Sequence, residues 1–125
     1  MAAITTLSKY SATEDNNTYV SKGIKAFTQA YASTSSLTLK GGAKEQHVCY
    51  AQLTGAMTIN ATVTSLSQFD IVFFHFNADG TNRVVTFGTN FISSGTLTVT
   101  AAKDATAWGI FDGTNIKIVS REVGA

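Results

Sequence analysis

From Ser36 to Arg121 the chain is cut into short runs in which apolar residues alternate with threonine and other small polar residues. The runs are 36–40, 47–53, 56–63, 69–77, 83–88, 96–101, 105–111 and 115–121. In "AMTINATV", Met57, Ile59, Ala61 and Val63 fall on one side and Thr58, Asn60 and Thr62 on the other. In "TLTVTA", Leu97 and Val99 oppose Thr96, Thr98 and Thr100. A period of two belongs to a strand, because successive side chains leave the backbone on opposite faces. β-branched residues suit that setting, since a pleated surface costs their restricted χ1 little. The chain has no proline, against a usual share of about 5%. Eight such runs at this spacing predict an all-β, antiparallel β-sandwich, jelly-roll-like, over residues 36–125.

The tetrapeptide "DGTN" occurs twice, at 79–82 and 112–115, each time between two alternating runs. Asp-Gly favours tight hairpins, whose central residues take positive φ. Asp79, Gly80, Asp112 and Gly113 are therefore read as hairpin turns. A calcium loop would need oxygen ligands at alternate positions and a closing glutamate. A phosphate loop would need more glycines and a following helix. Neither pattern is present.

Residues 1–35 are less regular. Ile24, Phe27 and Tyr31 sit at near-helical spacing, yet Phe27, Gln29 and Tyr31 also fit a strand, which the rest of the chain favours. Residues 1–18 read as an extended arm. Its isolated apolar residues Ile4, Leu7 and Tyr10 are candidate anchors on another protein surface.

At 125 residues the chain is expected to form one domain. A single cysteine, Cys49, allows no internal disulfide. "MAAITTLSKY" lacks the apolar run of a secretion signal, so synthesis in a reducing cytoplasm is expected. The run Ile71–Phe74 is too short to span a bilayer. A net charge of +1 speaks against a nucleic-acid partner.

No catalytic constellation emerges. His47 and Cys49 share a strand face, but zinc would need two more ligands, and only His75 and scattered carboxylates remain. No metal or cofactor is expected. Asp70 interrupts an apolar run, and an edge position accounts for it. Trp108 shares a face with Ile110, and core packing is the preferred reading over a sugar-stacking platform.

The run 69–76 is apolar on both faces. Phe69, Ile71, Phe73 and His75 point one way; Val72, Phe74 and Phe76 point the other. A sandwich strand should have one wet face. Val72, Phe74 and Phe76 are therefore candidate interface residues, covered either by the chain's own N-terminal segment or by a neighbouring subunit.

The stretch "LTGAMTINAT…FDIVFFHFNADGTNRVVTFGTNF…GTLTVTAAKDATAWGIFDGTNIKIV" resembles a β-sandwich module of tailed-bacteriophage virion proteins over about residues 47–121. The resemblance rests on an opening L-T-x-A-x-T-I-N strand, a D-G-T turn before R-V-V-T-F-G, and a late aromatic hairpin ending in D-G-T-N. It implies a non-enzymatic structural role in the virion, assembled in the host cytoplasm. Lacking shaft repeats, the chain is expected to be a capsid decoration protein that binds the major capsid protein or another virion protein. The two-faced apolar strand 69–76 suggests a homo-oligomer, and the resemblance makes a trimer the expectation. The alternative is a receptor- or glycan-binding domain of a head or tail fibre.

Overall fold

The computed structural model describes residues 23–93 and 95–124. It contains ten strands: β1 (Ile24–Gln29), β2 (Thr34–Thr38), β3 (Glu45–Tyr50), β4 (Met57–Thr62), β5 (Ile71–Asn77), β6 (Arg83–Phe87), β7 (Phe91–Ile92), β8 (Leu97–Val99), β9 (Asp104–Phe111) and β10 (Ile116–Val123). Each predicted run carries a strand. The segment that allowed either helix or strand is β1.

The strands do not pair as expected. From β1 to β9 consecutive strands alternate between two sheets, one of order β1-β3-β5-β9-β10-β7 and one of order β2-β4-β6-β8. Strands β1, β3 and β5 run parallel, as do β2, β4 and β6. Ile24 lies against Glu45, and Glu45 against Ile71. One circuit of the chain thus takes roughly twenty to thirty residues, the scale of a solenoid repeat. β7 keeps the direction of β5, and after it the direction reverses. β8 pairs antiparallel with β6, β9 with β5, and β10 with β9.

The fold is therefore a β-solenoid of three like-handed circuits and a fourth run backwards, with mixed sheets. The expectation of an antiparallel, jelly-roll-like β-sandwich is overturned. Its error lay in the connections. Parallel neighbours cannot be joined by a tight hairpin and need a crossover. Here each crossover passes through the opposite sheet.

The core fills the space between the sheets. Leu37, Ile59, Val85 and Val99 of the smaller sheet meet Val48, Val72, Phe74, Phe76 and Ile116 of the larger, all essentially buried. Phe74 makes edge contacts with Phe87 and Phe91, both at 5.7 Å between centroids. The buried polar residues Ser35, Gln46 and Asp70 all have partners, as their desolvation requires, whereas the buried Arg121 Nε has none. The Gln46 amide donates to the Lys40 carbonyl and accepts from the Lys40 N–H, both at 3.0 Å, which fastens the β2–β3 corner. The Tyr50 and Ser35 hydroxyls bond at 2.9 Å, and burial pushes the Tyr50 phenol up from its usual pKa.

The two DGTN copies do different work. The second closes the β9–β10 hairpin as a four-residue loop: Asp112 N–H donates to the Asn115 carbonyl at 2.9 Å, and Gly113 has φ of 104°. The Asp112 carboxylate accepts from the Thr114 and Asn115 N–H groups, and these bonds hold it below the usual carboxylate pKa. The first copy is not a hairpin, which corrects the reading of Asp79 and Gly80. It joins β5 to β6 across two sheets, and Gly80 has no positive φ. There Asp79 accepts two bonds from the Arg83 guanidinium, at 2.8 and 2.7 Å.

Candidate protein-docking face

The most distinctive surface is the outer face of the six-stranded sheet. The pairing registers place Ala26, His47, Phe73, Trp108 and Ser120 in one row across β1, β3, β5, β9 and β10. A neighbouring row carries Ile24, Glu45, Ile71, Ile110 and Lys117. His47, Ile71, Phe73, Trp108 and Ile110 are half-buried, and Ile24 and Val119 at the margins are exposed.

In-register pairing stacks the rings. His47 lies 4.7 Å from Phe73 with planes 5° apart, and Phe73 lies 5.9 Å from Trp108 with planes 23° apart. The first distance matches the spacing of adjacent strands. The ring faces are therefore turned toward each other along the row. A sugar-stacking platform needs free ring faces, and this row spends most of them internally.

Beside the aromatics runs a hydrogen-bonded chain. His47 Nε2 lies 2.8 Å from a Glu45 carboxylate oxygen, His47 Nδ1 lies 2.8 Å from His75 Nε2, and the Thr106 hydroxyl lies 3.5 Å from His75 Nδ1. The carboxylate can only accept, so His47 Nε2 carries a proton. Only one of the two facing ring nitrogens can carry another. The pair is satisfied with both rings neutral, His75 donating to His47. Burial, and then the neighbouring His47, holds the His75 pKa below the ordinary imidazole value.

The residues singled out in the sequence fall as follows. Val72, Phe74 and Phe76 point into the core and are 0–2% exposed, so no partner can reach them in the folded chain. The accessible apolar face of β5 is the opposite one, with Ile71, Phe73 and His75. Trp108 and Ile110, expected in the core, stand on that outer face. Asp70 is not at a rim but 2% exposed, its carboxylate accepting from the Ser67 N–H at 2.9 Å. Ile4, Leu7 and Tyr10 lie outside the described residues. Cys49 is exposed on the same face as His47. Among the described residues no group of three or more His, Cys, Asp or Glu is placed to hold a metal ion. No helix among them is long and apolar enough to cross a membrane.

Sequence reasoning missed two features. Phe69 precedes β5 with φ of 73° and is 68% exposed, an unusual conformation for a bulky residue. A polar hollow of about 570 Å³ lies at the β5–β6 and β8–β9 corners, lined by Gln52, Asn77, Asp79, Lys103 and Asp104 among others. No local motif marks either feature.

No protein-family model matches the sequence. No curated protein matches it. Among solved structures, the chain is similar to one described as "Structure of a chaperone-substrate complex", at 15% identity and a TM-score of 0.43. That alignment covers 72% of this chain and 17% of the other. So loose a likeness to so small a share of another chain carries no argument about fold or role.

Proposed function

We propose that this protein is a non-enzymatic structural subunit of a bacteriophage virion, a capsid decoration protein that binds the major capsid protein or another virion protein. The observation that carries the docking part is the outer sheet face, where Ile71, Phe73, Trp108 and Ile110 form a continuous half-buried apolar surface on a rigid scaffold. Aromatic residues on such a surface serve as anchors in protein interfaces. The virion setting rests on the resemblance of residues 47–121, whose implied sandwich fold the solenoid replaces. Assembly would take place in the host cytoplasm.

The test is cosedimentation with purified empty capsids of the phage proposed to carry this chain. The wild type should pellet with the heads. Phe73→Asp together with Trp108→Ser should weaken binding at least tenfold, equivalent to about 1.4 kcal/mol, while the circular dichroism spectrum is retained. Wild-type protein that stays in the supernatant would refute the proposal, and so would a double variant that binds undiminished.

A second reading, a glycan-binding fibre domain, draws on the polar hollow. The Gln52 and Asn77 amides and the Asp104 carboxylate could take sugar hydroxyls there. Saturable glycan binding abolished by Asn77→Ala would favour it over decoration.

A further inference from the structure

The ends of the solenoid are built differently. At one end the sheets finish on β7 and β8, strands of two and three residues. Strands that short are a recognised guard against edge-to-edge pairing. At the other end the sheets finish on β1 and β2, of six and five residues, which belong to the same circuit.

Which backbone groups point off this open end follows from the bonds inside it. The Gln29 carbonyl accepts from the Ala51 N–H, so Gln29, Phe27 and Lys25 direct their backbone groups toward β3. Ile24, Ala26 and Thr28 therefore direct theirs away from it. The Ser33 carbonyl accepts from the Thr58 N–H, and the Leu39 N–H donates to the Thr62 carbonyl. By the same alternation Thr34, Ser36 and Thr38 face away from β4. Among the described residues these six have no strand beside them.

Nor do their side chains guard the edges. All six are exposed and uncharged. The nearby lysines are turned elsewhere: Lys25 donates to the Gly41 carbonyl at 2.9 Å, and Lys40 lies 4.8 Å above the Phe27 ring. Natural sheets place lysine, proline or a bulge where a free edge must stay unpaired. Here both edges carry uncharged residues and present main-chain groups to any matching strand.

We propose that this open end is a docking surface for a second copy of the same chain, giving a closed twofold dimer. A twofold axis sets like edges antiparallel, so both edge strands of one copy pair with those of the other and both open ends disappear. Head-to-tail stacking would have to use β7 and β8 as partners, and they offer too few residues. The arrangement therefore stops at two copies. It uses the main-chain groups of the two end strands; Ile24 and Ala26 border the outer face, but the Ile71, Phe73, Trp108 and Ile110 patch proposed for virion docking takes no part, so either can fail without the other.

The test uses the full chain in sedimentation equilibrium. Wild type should show a dimer mass. Ala26→Pro with Ser36→Pro removes one outward N–H from each edge and spares the bonds to β3 and β4, a position where strands tolerate proline. The double variant should dissociate at least tenfold more readily, with an unchanged melting temperature at low concentration. Charge exchange gives a second route should the prolines prevent folding. Ala26→Glu with Ser36→Glu, and Ala26→Lys with Ser36→Lys, should each be monomeric alone and dimerise when mixed. A wild-type monomer at roughly 100 μM, well above an ordinary micromolar dissociation constant, would overturn the proposal. So would a dimer indifferent to both substitutions. A proline variant that loses stability with no change in mass would also overturn it, because the chain itself would then be covering its own edge.

Discussion

Truncating Phe74 and Phe73 in turn should separate the inside of β5 from its outside. Phe74 is 0% exposed and contacts Phe76, Phe87 and Phe91, with centroids 6.3, 5.7 and 5.7 Å away. Phe74→Ala removes a buried ring from between two hydrogen-bonded sheets that cannot close on the space, so it should cost about 3–5 kcal/mol. Small domains carry a total of about 5–15 kcal/mol, so much of the stability should go. Phe73→Ala instead removes a half-buried ring stacked between His47 and Trp108. Aromatic pairs contribute about 0.5–1.5 kcal/mol each, which for two pairs gives about 1–3 kcal/mol and leaves no cavity. At about 4 °C per kcal/mol for a chain of this size, the melting temperatures should fall by about 12–20 °C and about 4–12 °C. Urea unfolding followed by circular dichroism gives both values. Equal losses, or a larger loss for Phe73, would refute the assignment of Val72, Phe74 and Phe76 to the interior, and with it the register of β5 against β9.

The two DGTN copies should respond differently to alanine. Gly113→Ala forces a side chain onto φ of 104° and should cost about 1–3 kcal/mol, whereas Gly80→Ala meets nothing within 4 Å and should change stability by less than about 0.5 kcal/mol; thermal melts of the two proteins make the comparison. Gly109→Ala would set its Cβ 2.5 Å from the Lys117 carbonyl oxygen, so β9 and β10 must separate and the melting temperature should drop by more than for Gly113→Ala. Because the folded state holds the His75 pKa below the ordinary imidazole value, the unfolded chain binds more protons as the pH falls below about 6.5. Stability should therefore decline on acidification from about pH 7.5 to about pH 5, and the slope of melting temperature against pH should flatten in His75→Gln.

Strand positions were legible because alternation depends only on which face a side chain meets, and that is the same in any sheet. Which strands pair was not. The same tetrapeptide closes a hairpin at 112–115 and crosses between sheets at 79–82. The difference lies one residue on. Arg83 follows the first copy and binds both oxygens of Asp79, one of which also accepts the Thr81 N–H. Ile116 follows the second and leaves the Asp112 carboxylate to fasten the loop's own N–H groups. β7 was missed because two residues are too few to show any period.

The docking face was half visible. Both faces of β5 are apolar, and composition alone cannot choose between them. What chooses is volume. Inside, between β5 and β9, each large side chain lies beside a small one, while on the other side of β5 the buried Tyr50 ring stacks on Phe76. Phe76 pairs with Ala105, Phe74 with Ala107, and Val72 with Gly109. Outside, nothing limits size, and large meets large, Phe73 beside Trp108 and Ile71 beside Ile110. The run 104–111 carries this signal in its own alternation: Ala105, Ala107 and Gly109 are the small set, and Thr106, Trp108 and Ile110 the large one. Taking Trp108 as core followed residue preference, by which big aromatics are usually buried. The small set was the stronger constraint, because close packing already fills the core at that level with the β5 rings and, beyond them, Val48 and Tyr50. The same reasoning explains why the outer row is aromatic. Rings held at strand spacing cover one another's faces, so a surface rich in apolar residues stays half-dry within the single chain.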